Sequence, residues 1–242
     1  ENYYFKQAGE EEKFANRRGY EVESDEPLDY VTVHGQLCSA MGLNDGQTIN
    51  EETFRNMLCS KDSTGKAVCR KHKVTGIDLA FSAPKSVSIT ALVNKDTQVT
   101  QAHDKAVSDT MAEIEREHSF ARPTSRMRWH TGKMVYATVR DGFSREHDPH
   151  LHTHVVVMNL TEWKGKVMGL WSREILNQDF NKNWGIMYRT HLANRLKAAG
   201  YSLTYETGGQ FKIDKVSKEV EIEFSHRRKQ ILDAELKGQR NM

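Results

Sequence analysis

The sequence predicts an α+β fold: a central antiparallel sheet flanked by helices. Two long segments repeat apolar residues at helical spacing, and three short apolar segments rich in β-branched residues read as strands. The spacing between those strands suits hairpins better than the long crossovers a parallel sheet requires.

Each element has its own signal. Asn50, a good cap residue, introduces a helix over Glu51 to Leu58. Ile77 to Phe81 reads as a strand. From Thr97 to Glu117, Val99, Ala102, Ala106, Val107, Thr110, Met111 and Ile114 fall on one helical face. Met134 to Val139 and Leu151 to Met158 are strands. A second long helix covers Gln178 to Ala199, with Phe180, Trp184, Met187, Tyr188, Leu192 and Leu196 in register and Gly200 as its stop. Weaker strands follow at Ser202 to Tyr205 and Gln210 to Ile213. The most polar stretch, Gly9 to Asp29, is expected to be a mobile loop or lid ahead of the core; a solvated helix face suits its composition equally well.

At 242 residues, with 37% hydrophobic and 28% charged, the chain is read as a single domain over 1–242. It starts at Glu1 without methionine, as expected of a trimmed chain or a piece of a longer protein. A net charge of +2 neither demands nor excludes a nucleic-acid partner, since a local basic groove can hide within a balanced total. Three cysteines (Cys38, Cys59, Cys69) without CxxC spacing argue against a disulfide framework or zinc ribbon and favour a reducing, cytoplasmic setting. No apolar run approaches the roughly 18 residues of a membrane span, so no membrane insertion is expected.

The most informative segment runs from Arg140 to Asn159. It holds His147, His150, His152 and His154 ahead of a Val155–Val156–Val157 run. Strand alternation puts His150, His152 and His154 on one face, where imidazoles two residues apart can share a metal ion. A turn through Gly142, Asp148 and Pro149 would bring the strand back on Met134 to Asp141, with Asp141 within reach of the cluster. The plain alternative is a half-exposed histidine-rich strand that binds nothing.

Here the sequence resembles a known family. Asp148-Pro149, then Leu151-His152-Thr153-His154, preceded by Ser144-Arg145, is similar to the histidine signature of conjugative relaxases of the TrwC and plasmid-F TraI type, within the HUH endonucleases. Gly76-Ile-Asp-Leu-Ala-Phe-Ser-Ala-Pro-Lys-Ser-Val-Ser88 resembles the family's other hallmark, and Phe224-Ser-His-Arg-Arg228 a third element. The likeness runs from about Gly35 to Ile231.

The resemblance implies a palm-like sheet and a divalent metal, with Mg2+ or Mn2+ favoured. His152 and His154 match two of the family's metal ligands, but the position of its third, upstream histidine falls on Asp141. A 2-His-1-carboxylate set is chemically sound and favours harder cations. Asp141 is preferred as third ligand, with His150, and after it His147, as alternatives. Asp78 matches the family aspartate that orients a ligand histidine and assists tyrosine deprotonation. Family nucleophiles sit near the N-terminus in Tyr-Tyr pairs: Tyr3 is the first choice, Tyr4 the second, and Tyr20 or Tyr30 remains open for a second cleavage.

The residues themselves suggest that Ser82 caps a helix carrying Pro84 in its first turn. Its N-terminus, with Lys85, would suit a DNA phosphate. Arg145, Arg17, Arg18, Trp129 and Trp163 are the other expected DNA contacts, each equally explicable as a solvated charge or core aromatic.

The implied activity is strand-specific nicking and rejoining of transfer-origin DNA through a 5′-phosphotyrosine intermediate. Origin DNA, relaxosome accessory proteins and a type IV secretion coupling protein are the implied partners. The implied place is the bacterial cytoplasm, with transfer alongside the DNA. Competing readings are a related replication initiator or transposase, a binding-only single-stranded DNA module with a decayed metal site, and a metal hydrolase or 2-His-1-carboxylate oxygenase.

Overall fold

Asn50 stands at the N-cap of the first helix, α1 (Glu51–Leu58), with its side chain accepting from the Thr53 amide. Asp96 does the same for the amides of Gln98 and Val99 at the start of α3 (Thr97–His118). The structure, a computed structural model, describes residues 31–70, 72–124, 127–144, 147–173, 175 and 178–226. Its other helices are α2 (Lys85–Leu92), α4 (Gln178–Ala198) and the short α5 (Lys218–Glu223).

Five strands form the main sheet: β1 (Val31–His34), β2 (Gln47–Ile49), β3 (Gly76–Ser82), β6 (Tyr136–Phe143) and β7 (Pro149–Met158). Their order is β2-β1-β6-β7-β3, and every pairing is antiparallel, as the α+β reading requires. Three two-stranded ribbons complete the fold. They pair β4 (Phe120–Thr124) with β5 (Met127–His130), β8 (Thr161–Trp163) with β9 (Lys166–Met168), and β10 (Leu203–Tyr205) with β11 (Phe211–Ile213).

Side-chain alternation distributes two cores over the faces of the sheet. Ile77, Leu79, Phe81, Leu151, Val155 and Val157 join the apolar stripes of α2, α3 and α4. Val31, Val33, Ala137, Val139, Val156 and Met158 face α1 and the 3-10 turn Cys38–Met41. Residues 155–158 of β7 are therefore buried on both faces, while its first half exchanges valine for histidine on the α1 side. That exchange creates the site.

Several sequence boundaries need correction. Ser82 is not a helix cap; it closes β3 opposite His152. The next amide, Ala83, still donates to Leu151 O at 2.9 Å, so sheet pairing outcompetes capping there. Pro84 takes the cap position with no side-chain cap bond, and α2 begins at Lys85. Gly142 belongs to β6 and Pro149 to β7 rather than to the turn; beyond β6 the Ser144 amide donates to Asp148 O and the His147 amide to Ser144 O. Strands β1 and β2 had no sequence signal strong enough to be assigned.

Candidate metal centre

The register of the sheet assembles the site. In β6 and β7, Asp141 pairs with His152; in β3 and β7, Ala80 pairs with His154 and Ser82 with His152. Side chains of His150, His152, His154, Asp141 and Asp78 consequently fall on the same face. The imidazoles stand in a row, with ring centroids 4.7 Å apart for His150–His152 and 5.1 Å for His152–His154. The expected shared histidine face is thus present.

His152 and His154 are oriented as metal donors would require. His152 Nδ1 lies 2.7 Å from the His150 carbonyl, which only accepts, so Nδ1–H donates and the neutral ring has its lone pair on Nε2. His154 Nδ1 donates to the Asp78 carboxylate, 2.9 and 3.1 Å from its two oxygens, which leaves Nε2 as donor atom there too. The Asp78 hydrogen bond, with its charge, raises the His154 pKa against the opposing effect of burial. A carboxylate behind a ligand histidine fixes tautomer and increases basicity.

Asp141 is 5% exposed, and its Oδ2 lies 3.7 Å from His152 Nε2, the nitrogen with the available lone pair. Its Oδ1 accepts from the Phe143 amide at 2.8 Å. Two imidazole nitrogens and one carboxylate oxygen suit a divalent cation. Among the described residues, however, no three histidine, cysteine or acidic side chains close into a preformed cation cage. Beside Asp78, β3 and α4 frame a cleft lined by Ala80, Phe81, Asn181, Trp184 and Gly185.

The hallmark around Ala83 to Ser88 serves chiefly to hold the histidine strand. Ser88 and Ser86 are fully buried. Ser88 Oγ accepts from the Leu151 amide at 3.1 Å, and Ser86 Oγ accepts from the Ile213 amide at 3.0 Å. Lys85 donates to the carbonyls of Pro149 (2.9 Å) and Phe224 (3.1 Å). Two of its three ammonium donors are thereby spent on protein, where the sequence suggested a phosphate.

A polar network beneath the strand escaped the sequence reading. His103 on α3 is 0% exposed; its Nδ1 lies 2.6 Å from Tyr188 Oη on α4, and its Nε2 lies 2.8 Å from Thr153 Oγ1. Thr153 sits between His152 and His154 on the opposite face of β7, so the network anchors that strand from below. Burial pushes the His103 pKa down to about 3, with Arg140 and His152 adding to it, so the ring is neutral. The signal was available: position 103 lies inside the apolar stripe of Val99, Ala102, Ala106 and Val107, where a histidine must find partners.

Other expected residues lie elsewhere. Tyr3, Tyr4, Arg17, Arg18, Tyr20, Tyr30, Arg145 and the polar N-terminal stretch fall outside the described residues. Trp129 and Trp163 sit on the ribbons at the opposite end of β6 and β7 from Asp141 and His152. The three cysteines are free thiols. No described helix is long and apolar enough to cross a membrane.

Comparison with known proteins identifies the family. The family model of the TrwC relaxase matches residues 1–241. A multifunctional conjugation protein TraI of Escherichia coli is 32% identical over 182 residues, which are 69% of this chain and 10% of that protein. The chain therefore spans about a tenth of the length of that relative. Two solved structures of the conjugative relaxase TrwC in complex with oriT DNA are similar throughout. A metal-bound one is 31% identical with a TM-score of 0.79, covering 98% of this chain and 81% of that one. A copper-bound one is 30% identical with a TM-score of 0.80, covering 98% and 82%. A histidine pair held at Nδ1 on β7 has an aspartate behind it, and the family match runs along nearly the whole sequence: the chain belongs to the TrwC relaxase family.

Proposed function

We propose that this chain nicks and rejoins one strand of transfer-origin DNA, using a tyrosine nucleophile beside a divalent cation. The observation that carries the reading is the pair His152 and His154. Each Nδ1 donates to a fixed acceptor, the His150 carbonyl and the Asp78 carboxylate, and His152 Nε2 lies 3.7 Å from Asp141 Oδ2.

His152, His154 and Asp141 would hold the cation, with His150 as the alternative third ligand. When bound, it would supply Lewis-acid polarisation of the scissile phosphate and offset charge in the transition state. The imidazole-rich set accommodates softer ions as readily as the Mg2+ or Mn2+ that Asp141 favours. Copper in a related TrwC structure is consistent with that latitude.

The protein's own groups do the rest. Tyr3, or failing it Tyr4, attacks phosphorus; the phenolic O–P bond forms as the 3′ O–P bond breaks. The phenolic proton is balanced by the one the 3′-oxygen acquires, leaving a 5′-phosphotyrosine and a free 3′-hydroxyl. A free phenol has a pKa near 10, so a base or a nearby positive charge must assist. Asp78, with 37% of its side chain exposed at the cleft, would accept that proton while orienting His154. The phosphodiester energy is retained in the covalent link, so resealing is the same exchange reversed. Arg145, Arg17 and Arg18 would contact the DNA backbone, while Lys85, bonded to the Pro149 and Phe224 carbonyls, would steady the histidine strand. Such an enzyme would work in the bacterial cytoplasm with relaxosome accessory proteins and a secretion coupling protein, as its relatives' role in conjugation suggests.

The test is a covalent adduct. Wild-type protein with single-stranded origin DNA and Mg2+ or Mn2+ should give a protein–DNA band on a denaturing gel, lost in Tyr3→Phe and in excess EDTA. Tight binding without any adduct, whatever the metal, would replace this reading with a binding-only module, which the lack of a preformed cage also allows.

A further inference from the structure

The two ribbons at the far end of the sheet carry a second surface. The hydrogen bond from the Trp171 amide to Phe120 O (2.7 Å) and the Ala121–Leu170 bridge bring β4-β5 and β8-β9 side by side. Trp129 is 43% exposed, and its ring stands 6.2 Å from that of Trp163, tilted by 36°. Cations flank the indoles: Lys164 Nζ is 4.8 Å from the Trp163 ring, and the Arg122 and Arg173 guanidinium carbons are 4.5 and 5.2 Å from Trp171. Arg128 and Lys166 are exposed on the same ribbons.

No acidic residue occurs from Ser119 to Lys133 or from Lys164 to Ser172. Glu162 on β8 pairs with Lys133 at 2.7 Å, and the remaining cations leave these ribbons locally positive, a field that attracts polyanions. The register separates this surface from the metal centre. From Val157, opposite Tyr136, to His152, opposite Asp141, is about 16 Å along the strand.

We propose that this aromatic and cationic surface is a second DNA-binding site, which takes single-stranded DNA by stacking bases on Trp129 and Trp163. An indole pair with Trp129 exposed and Trp163 half-buried needs unstacked bases, which a duplex does not offer, whereas phosphates suit the flanking arginines and lysines. The site is remote from the cleavage chemistry, so it adds affinity and reach rather than catalysis. It rests on the relaxase reading only in requiring a DNA partner.

Tryptophan fluorescence reports on it directly, because the fourth tryptophan, Trp184, is only 3% exposed. Titration of the whole chain with dT25 should quench emission. The double substitution Trp129→Ala/Trp163→Ala should weaken dT25 binding about 30-fold or more. Trp129→Phe/Trp163→Phe should retain most of it, and Arg128→Ala should flatten the salt dependence by about 0.7 in log–log slope. Circular dichroism should show all variants folded, and adduct formation on a short oligonucleotide spanning only the nick should be unchanged. Equal quenching by a 25-base-pair duplex, or alanine variants that bind dT25 as tightly as wild type, would overturn the proposal. If wild type nicks while the alanine variants bind normally, this surface fails and the relaxase reading stands; quenching without nicking is the converse.

Discussion

His103→Leu tests whether the buried network beneath β7 holds the histidine strand. The substitution is close in volume, so its main effect is to strip the partner from two hydroxyls, Tyr188 Oη and Thr153 Oγ1. Each buried polar group left unsatisfied costs about 1–3 kcal/mol, so a loss of about 2–5 kcal/mol is expected at pH 7. The pH dependence separates this from ordinary core damage. The neutral ring has its pKa lowered from 6.5 to about 3 by burial. The unfolded chain therefore takes up the proton first, and the wild type's stability from this residue is full above about 6.5 and drains as pH falls toward 3. Between pH 7 and 4.5 that amounts to about 2.5 kcal/mol, at about 1.4 kcal/mol per pKa unit. Leucine has no proton to bind, so the gap between wild type and variant should narrow by roughly that amount. Urea unfolding followed by circular dichroism at the two pH values measures it. Parallel losses in both proteins would refute the claim that a buried neutral His103 anchors the strand.

Asp78→Asn should weaken divalent-metal binding about 10- to 100-fold by calorimetry, because it removes the carboxylate that orients His154; unchanged affinity would end that role. Since Asp78 also raises the His154 pKa, wild-type metal binding should begin to weaken at a higher pH than an ordinary imidazole would dictate, and the variant should lose that offset. Asp141→Ala should likewise reduce metal affinity, whereas His150→Ala should leave it nearly intact; the reverse ranking would move the third ligand to His150. Gly35→Ala should cost about 2 kcal/mol or more, because Gly35 has φ +109° and a Cβ would lie 2.5 Å from Met134 O. A drop in Tm of roughly 5 °C or more is expected, and an unaltered Tm would show that the backbone relaxes there.

The long helices were legible because their stripes are long. The span expected over Thr97 to Glu117 became Thr97–His118, and that over Gln178 to Ala199 became Gln178–Ala198. Strand β7 was legible from its valines and its histidine alternation. Strands β1 and β2 were not, since four and three residues carry too little pattern to distinguish from loop. Ser82 misled because a serine ahead of a proline reads as a cap in isolation, while its backbone was already committed to pairing with β7.

What the sequence determined by itself about the candidate site is its chemistry. His152, His154, Asp141 and Asp78 were singled out by residue type, period and family motif, and a period of two already places the imidazoles on one face. Tertiary structure decided their neighbours. Asp141 meets His152 only through the β6–β7 register, and Asp78 meets His154 only through the β3–β7 register. Likewise, Lys85 turned toward carbonyls, Trp129 and Trp163 went to the far end of the sheet, and His103 was drawn beneath Thr153. Registers and tautomers depend on partners far away in sequence, and burial makes those partnerships costly to leave unmade; a linear pattern carries neither.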